Sequence, residues 1–274
     1  MTAIQSEART IVVTSADGTR LAVDVYGDGS LPPLVICSGA MVTRGAEAAF
    51  AASITDRFTV FAYDRRGRAD SDDTAPYAVE REIEDLAAVI AHAGAPVFVL
   101  GHSSGAVLAL RAAADGVPMV KLAVYEPPFI VDDGHAPLPD DYVSHLDALT
   151  AEGQRVEAVA YFMTAAIGMP EAMVDGMRAA GHLDPMAGVA HTLSYDGRIM
   201  GNTMSGKPLA GEPWNRVRIP VLVMAGGASG GYMRTAARQL VERLPDARLA
   251  ILDGQDHGPA DDVLGPAIAA FFRS

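Results

Sequence analysis

The stretch Pro96-Val97-Phe98-Val99-Leu100-Gly101-His102-Ser103-Ser104-Gly105-Ala106-Val107-Leu108-Ala109-Leu110-Arg111-Ala112 decides how this chain is read. It opens with a short apolar run, which suits a strand buried on both faces of a parallel sheet. It closes with strong helix formers. Between them, Gly101 to Gly105 fits a G-x-S-x-G pattern in the strand–turn–helix setting that the pattern requires. A serine on so sharp a turn takes a strained backbone, and glycines at Gly101 and Gly105 permit close approach of its neighbours. The Ser103 hydroxyl then stands clear of the sheet at a helix N-terminus, where backbone N–H groups and the helix dipole favour a developing negative charge.

Similar apolar runs recur on both sides of this centre. Pro33 to Cys37, Phe58 to Tyr63, Met119 to Tyr125, Pro220 to Ala225 and Arg248 to Leu252 each read as a buried strand. Thr10 to Tyr26 reads as two strands joined at Ala16-Asp17-Gly18-Thr19, because Asp-Gly tolerates positive φ at both central positions of a hairpin turn. Helical patterns alternate with the strands. Val79, Ile83, Leu86 and Ile90 lie at helical spacing, with Pro76 before them and Gly94 as a stop; Met233, Ala237, Leu240 and Leu244 end at Pro245; Leu264, Ile268, Phe271 and Phe272 form a last apolar stripe. Strand and helix in alternation predict a mostly parallel sheet with right-handed crossovers, an α/β fold.

The alternation breaks between about Phe129 and Trp214, where helical patterns, glycines and prolines stand without a convincing strand. The expected organisation is therefore a core built from residues 1–128 and 215–274, with a helical insertion over 129–214. That insertion carries Met163, Met169, Met173, Met177, Met186, Met200 and Met204. Methionine fills irregular apolar space, so these side chains either pack the insertion onto the core or adapt to a ligand.

The chain has 274 residues and a formal charge of −13. That charge argues against a nucleic-acid backbone or an anionic membrane as partner and does not identify a substrate; a small-molecule substrate is what the family resemblance described below implies. Cys37 is the single cysteine, so no intramolecular disulfide can form, and it is most simply a buried small apolar residue. With neither an apolar h-region at the start nor a long uncharged apolar run, the expected location is cytoplasmic. The oligomeric state is left open.

The Gly101-to-Gly105 turn and Tyr63-Asp64-Arg65-Arg66-Gly67-Arg68-Ala69-Asp70-Ser71 together resemble the α/β-hydrolase superfamily, of the cap-bearing esterase, haloperoxidase and dehalogenase kind. The second segment is similar to that family's D-x-R-G-x-G-x-S, with Ala69 and Asp70 standing near the usual second glycine. The resemblance spans nearly the whole chain. It implies an eight-stranded α/β-hydrolase sheet flanked by helices, with 129–214 as a helical cap.

By resemblance, Ser103 is the nucleophile and His257, in Gly254-Gln255-Asp256-His257-Gly258, is the base. Independent logic agrees: serine needs an imidazole to take its proton, and of 7 histidines His257 stands at the C-terminal end of a late strand. The acid departs from the pattern. The family's usual aspartate position falls in Gly226-Gly227-Ala228-Ser229-Gly230-Gly231, which has no carboxylate. Either the acid is missing or it has moved to Glu126, at the end of the Met119-to-Tyr125 strand, as in some relatives; Asp253, Asp256, Asp132 and Asp133 are rivals.

The resemblance also gives the oxyanion donors as the Ser104 amide and an amide of Cys37-Ser38-Gly39-Ala40-Met41, by alignment that of Ala40, with that of Met41 as the second choice. Ser38, Gly39, Met41 and His102 are expected at the substrate, with packing beneath the site as the other place for His102. The implied activity is hydrolysis of a small apolar carboxylic ester or lactone through an acyl-enzyme, without cofactor or metal. Thioester hydrolysis, acyl transfer, carbon–carbon bond hydrolysis, perhydrolysis, a biosynthetic cyclase and a catalytically weak ligand-binding protein remain as alternatives.

Overall fold

The computed structural model describes residues 8–274. Eight strands form one sheet in the order β1-β2-β4-β3-β5-β6-β7-β8. They are β1 (Arg9–Thr14), β2 (Arg20–Tyr26), β3 (Pro33–Cys37), β4 (Thr59–Tyr63), β5 (Phe98–His102), β6 (Lys121–Tyr125), β7 (Val221–Gly226) and β8 (Ala247–Leu252). β2 runs antiparallel to both of its neighbours, and every pairing from β4 to β8 is parallel. At the hairpin between β1 and β2, Gly18 alone takes a positive φ, +88°.

The uninterrupted apolar runs are explained by burial on both faces. In β3, Val35 and Cys37 enter one core while Leu34 and Ile36 enter the other. In β6, Leu122 and Val124 alternate with Ala123 and Tyr125 in the same way. Each buried valine, leucine or isoleucine among them contributes about 1.5–3 kcal/mol by leaving water. On the first face lie α2 (Val79–Ala93), α3 (Ser104–Ala114) and α8 (Gly231–Arg243); on the second lie α1 (Ala48–Ser53) and α9 (Asp261–Arg273).

Between β6 and β7 the described chain contains helices and tight 3₁₀ turns but no strand. The helices are α4 (Tyr142–Ala151), α5 (Arg155–Ala165), α6 (Glu171–Ala179) and α7 (Leu193–Met200). They share a third apolar cluster around Tyr142, Leu146, Val159, Met163 and Leu193. The two ends of the 129–214 stretch behave differently: Phe129, Ile130, Val131, Ile199 and Trp214 belong to the core under α2 and α3. No helix among the described residues is long and apolar enough to cross a membrane.

Candidate active site

Parallel register brings the C-terminal ends of β5, β6, β7 and β8 side by side, where α/β sheets place their ligands. The turn after β5 carries Ser103 at φ 55° and ψ −126°, outside helical and extended conformations alike. Its amide is tied to the Tyr125 carbonyl of β6 at 2.9 Å, and α3 starts at the next residue. Glycine is sterically required on both flanks. A Cβ at Gly101 would lie 2.6 Å from the Ala106 Cα, and one at Gly105 would lie 2.2 Å from the Cys37 carbonyl oxygen.

His257 lies in the loop between β8 and α9. Its Nδ1 donates to Glu126 Oε2 at 2.7 Å, which leaves Nε2 as the proton-accepting nitrogen of the neutral ring. Glu126 is the residue directly after β6 and takes φ 47°, a left-handed conformation that aims its carboxylate toward β7 and the His257 loop. The other oxygen, Oε1, accepts the Gly226 amide at 2.8 Å. Thus the last residue of β7, at the head of a glycine-rich loop that holds no carboxylate, supplies a donor to one. Burial pushes the Glu126 carboxyl up, but hydrogen bonds from His257 and the Gly226 amide outweigh it and hold the group below the usual carboxylate range. The rival acids are engaged elsewhere or exposed. Asp256 Oδ1 accepts the Gly258 amide, Asp132 Oδ1 accepts the Gly134 amide, and Asp133 and Asp253 are exposed.

Ser103, His257 and Glu126 border one cavity of about 670 Å³. Among the described residues no hydrogen bond joins Ser103 Oγ to His257 Nε2; such contacts are commonly long before a substrate tightens them. Gly39, Ala40, Ser104 and His102 also line the cavity. The Ala40 and Ser104 amides have no acceptor among the described residues. Gly39 sits so close to the nucleophile that a Cβ there would lie 2.9 Å from the Ser103 Cβ.

Two residues expected at the substrate lie elsewhere. Ser38 is buried with its hydroxyl unpaired and does not reach the cavity, and Met41 packs against the cluster of α4 and α5 instead. His102 lines the cavity and donates from Nε2 to the His257 carbonyl at 2.9 Å, so it helps fix the loop that carries the neighbouring imidazole. Among the methionines of the insertion, Met200 and Met204 reach the cavity, Met163 packs within the third cluster, and Met173 is exposed.

The site also contains residues that sequence reading did not single out. Asp196 of α7 borders the cavity and ties three groups together: Arg65 at 2.7 Å, Arg68 at 2.8 Å and the Ser104 hydroxyl at 2.7 Å. Arg65 also holds Glu82 of α2 through two hydrogen bonds, at 2.7 and 2.9 Å. Burial pushes the Asp196 carboxyl up, and the two guanidinium charges more than reverse it. The arginines were visible in Asp64 to Ser71, but their partners are remote in sequence, so nothing local foretold the cluster. Tyr142, Phe162 and Ile167 of the insertion and Tyr232 and Met233 of α8 complete a largely apolar wall.

Comparison with known proteins gives the lineage. The profile of the Alpha/beta hydrolase family matches residues 34–266. An alpha/beta hydrolase from Sphaerobacter thermophilus is 48% identical, over 96% of this chain and 100% of its own, with a TM-score of 0.87. Two more distant structures share the fold: a 2-hydroxy-6-oxo-6-phenylhexa-2,4-dienoate hydrolase from a Rhodococcus species (18% identity, 97% of this chain and 100% of its own, TM-score 0.69) and an enol-lactonase from Burkholderia xenovorans (20%, 97% and 100%, 0.69). The chain belongs to the alpha/beta hydrolase family.

Proposed function

We propose that the protein is a serine hydrolase acting on a neutral, largely apolar carboxylic ester or lactone. The observation that carries the reading is the 2.7 Å bond from His257 Nδ1 to buried Glu126, in the same cavity as a serine strained at the N-terminus of α3. In this reading Ser103 Oγ attacks the ester carbonyl carbon while His257 Nε2 takes the hydroxyl proton. Glu126 fixes the imidazole tautomer and stabilises the imidazolium. The negative charge that forms on the carbonyl oxygen is met by the Ala40 and Ser104 amides. Collapse expels the alkoxide, which receives its proton from His257 and, in a lactone, stays tethered to the acyl group. Water then attacks the acyl-enzyme with His257 again as base, and the acid leaves.

The cavity supports the substrate class. Its charged lining consists of Glu126, Asp196 and Asp256, with no lysine or arginine. Glu126 is paired with His257 and Asp196 with Arg65 and Arg68, so among the described residues no lysine or arginine is left to receive a substrate carboxylate. The helices between β6 and β7 act as a cap in this reading, supplying Tyr142, Phe162, Ile167, Met200 and Met204 to the apolar wall. A panel of p-nitrophenyl esters from acetate to decanoate, together with simple lactones, tests the proposal. Turnover is expected in the wild type and a loss of at least about 1,000-fold in Ser103→Ala. Equal turnover in the two proteins contradicts it.

A further inference from the structure

The Ala40 amide belongs to the same peptide unit as the Gly39 carbonyl. A trans peptide is planar and points its C=O and N–H in opposite directions. The Gly39 carbonyl accepts Arg68 Nη1 at 2.5 Å and the Val42 amide at 3.4 Å; Arg68 is buried and does not line the cavity, so the carbonyl that it holds is turned from it. The same Nη1 donates to the Val42 carbonyl at 3.2 Å, and the other end of the guanidinium, Nη2, is fixed by Asp196 at 2.8 Å. Asp196 also accepts the Ser104 hydroxyl, on the residue that offers the second free amide. Arg65 Nη1 shares that carboxylate and lies 3.3 Å from the Ser38 carbonyl, one peptide earlier in the same loop. One carboxylate from α7 thus bears on both amides.

From this geometry we infer that Arg68, held in place by Asp196, is a positioning residue for the oxyanion site. It clamps the Gly39 carbonyl so that the Ala40 N–H is presented to the cavity before substrate arrives, and it makes the helices between β6 and β7 part of the catalytic apparatus. The inference rests on the acyl-enzyme reading above. Without the clamp, only the long 3.4 Å bond from the Val42 amide holds that carbonyl, and a glycine at position 39 opposes rotation of the peptide least of all residues. A rotated peptide would offer a carbonyl oxygen where a donor is required.

A ground-state ligand does not use those donors, whereas a developing oxyanion does, so the test separates the two. A trifluoromethyl ketone with an apolar tail adds Ser103 Oγ to its carbonyl carbon, passes the serine proton to His257, and leaves an oxyanion between the two amides. Arg68→Lys keeps one positive charge beside Asp196 but loses the fork that spans Asp196 and the Gly39 carbonyl. Its kcat on the best ester is expected to fall by about 100-fold, with KM within a few fold and the ketone weakened by the same factor. The pH at half-maximal rate should not move, because His257 and Glu126 are untouched. Asp196→Asn should lose less in the same two measurements, and it carries the test should Arg68→Lys not fold.

Near-normal kcat in a folded variant overturns the inference. So does a loss of kcat with unchanged affinity for the ketone, which is what general loosening of the fold gives. Failure of the underlying reading looks different: Ser103→Ala then turns over esters like the wild type, and the ketone does not bind the wild type.

Discussion

Ala69 is exposed yet held at φ 42°, in the left-handed region where a Cβ costs about 1–2 kcal/mol. It stands at the position of the second glycine in the related D-x-R-G-x-G-x-S segment, so the backbone shape persists here without the residue that suits it. Ala69→Gly is expected to raise stability by about 1 kcal/mol in urea unfolding, and a lower stability contradicts this. His102 is a second local test. Burial, reinforced by the neighbouring His257, pushes it down to about 4 from an ordinary 6.5. Between those values the unfolded imidazole binds a proton that the folded one refuses. Stability therefore falls as the pH drops from 6.5 toward 4, by up to about 3 kcal/mol. His102→Gln keeps a donor for the His257 carbonyl and should flatten that slope; an unchanged slope contradicts the assignment. Ser103 and His257 were legible because each sits in a local pattern at a strand end. Glu126 was legible only as a carboxylate in the right place, since its pairing depends on a φ of 47° that no spacing encodes. Ser38 and Met41 were misplaced for a related reason: the backbone after β3 turns Ser38 inward and Met41, at φ 63°, toward the cluster of α4 and α5.

Among the elements, the turn from β5 into α3 depends on how closely α3 approaches β3. Gly105 meets the Cys37 carbonyl there, and backbone on both sides cannot give way as a flexible side chain can. Gly105→Ala should cost about 3 kcal/mol or more in denaturation, well beyond the penalty for alanine in an exposed helix. It should also lower kcat by displacing Ser104. A stability within 1 kcal/mol of wild type contradicts the packing account. The strands were legible because each is a run of apolar residues facing two cores, and α2, α8 and α9 because each has a stripe at helical spacing. α1 went unread: its six residues, AAFAAS, are too short for a periodic stripe. The helices between β6 and β7 were legible as a break in the alternation. Their role at the site was not, because it runs through Asp196 to Arg65 and Arg68, each more than a hundred residues away in sequence.

The whole molecule carries a formal charge of −13 and presents a cavity whose charged lining is acidic, with Glu126 and Asp196 paired inside the protein and Asp256 holding the Gly258 amide. A substrate with a free carboxylate has to give up its water there without meeting a cation, which costs several kcal/mol. The half-ester mono-p-nitrophenyl succinate should therefore have a kcat/KM at least about 100-fold below that of p-nitrophenyl butyrate. Equal values contradict the neutral-substrate reading and leave the ester chemistry standing. That chemistry rests on one claim: the Ser103 hydroxyl is made nucleophilic by His257, which Glu126 orients. The most direct measurement is the rate at which a fluorophosphonate labels the folded protein, with the modified residue located by peptide mass spectrometry. The account predicts rapid labelling confined to Ser103, slowed by two or more orders of magnitude, roughly, in Glu126→Gln. A folded wild type that resists the probe, or one labelled at another residue, contradicts it.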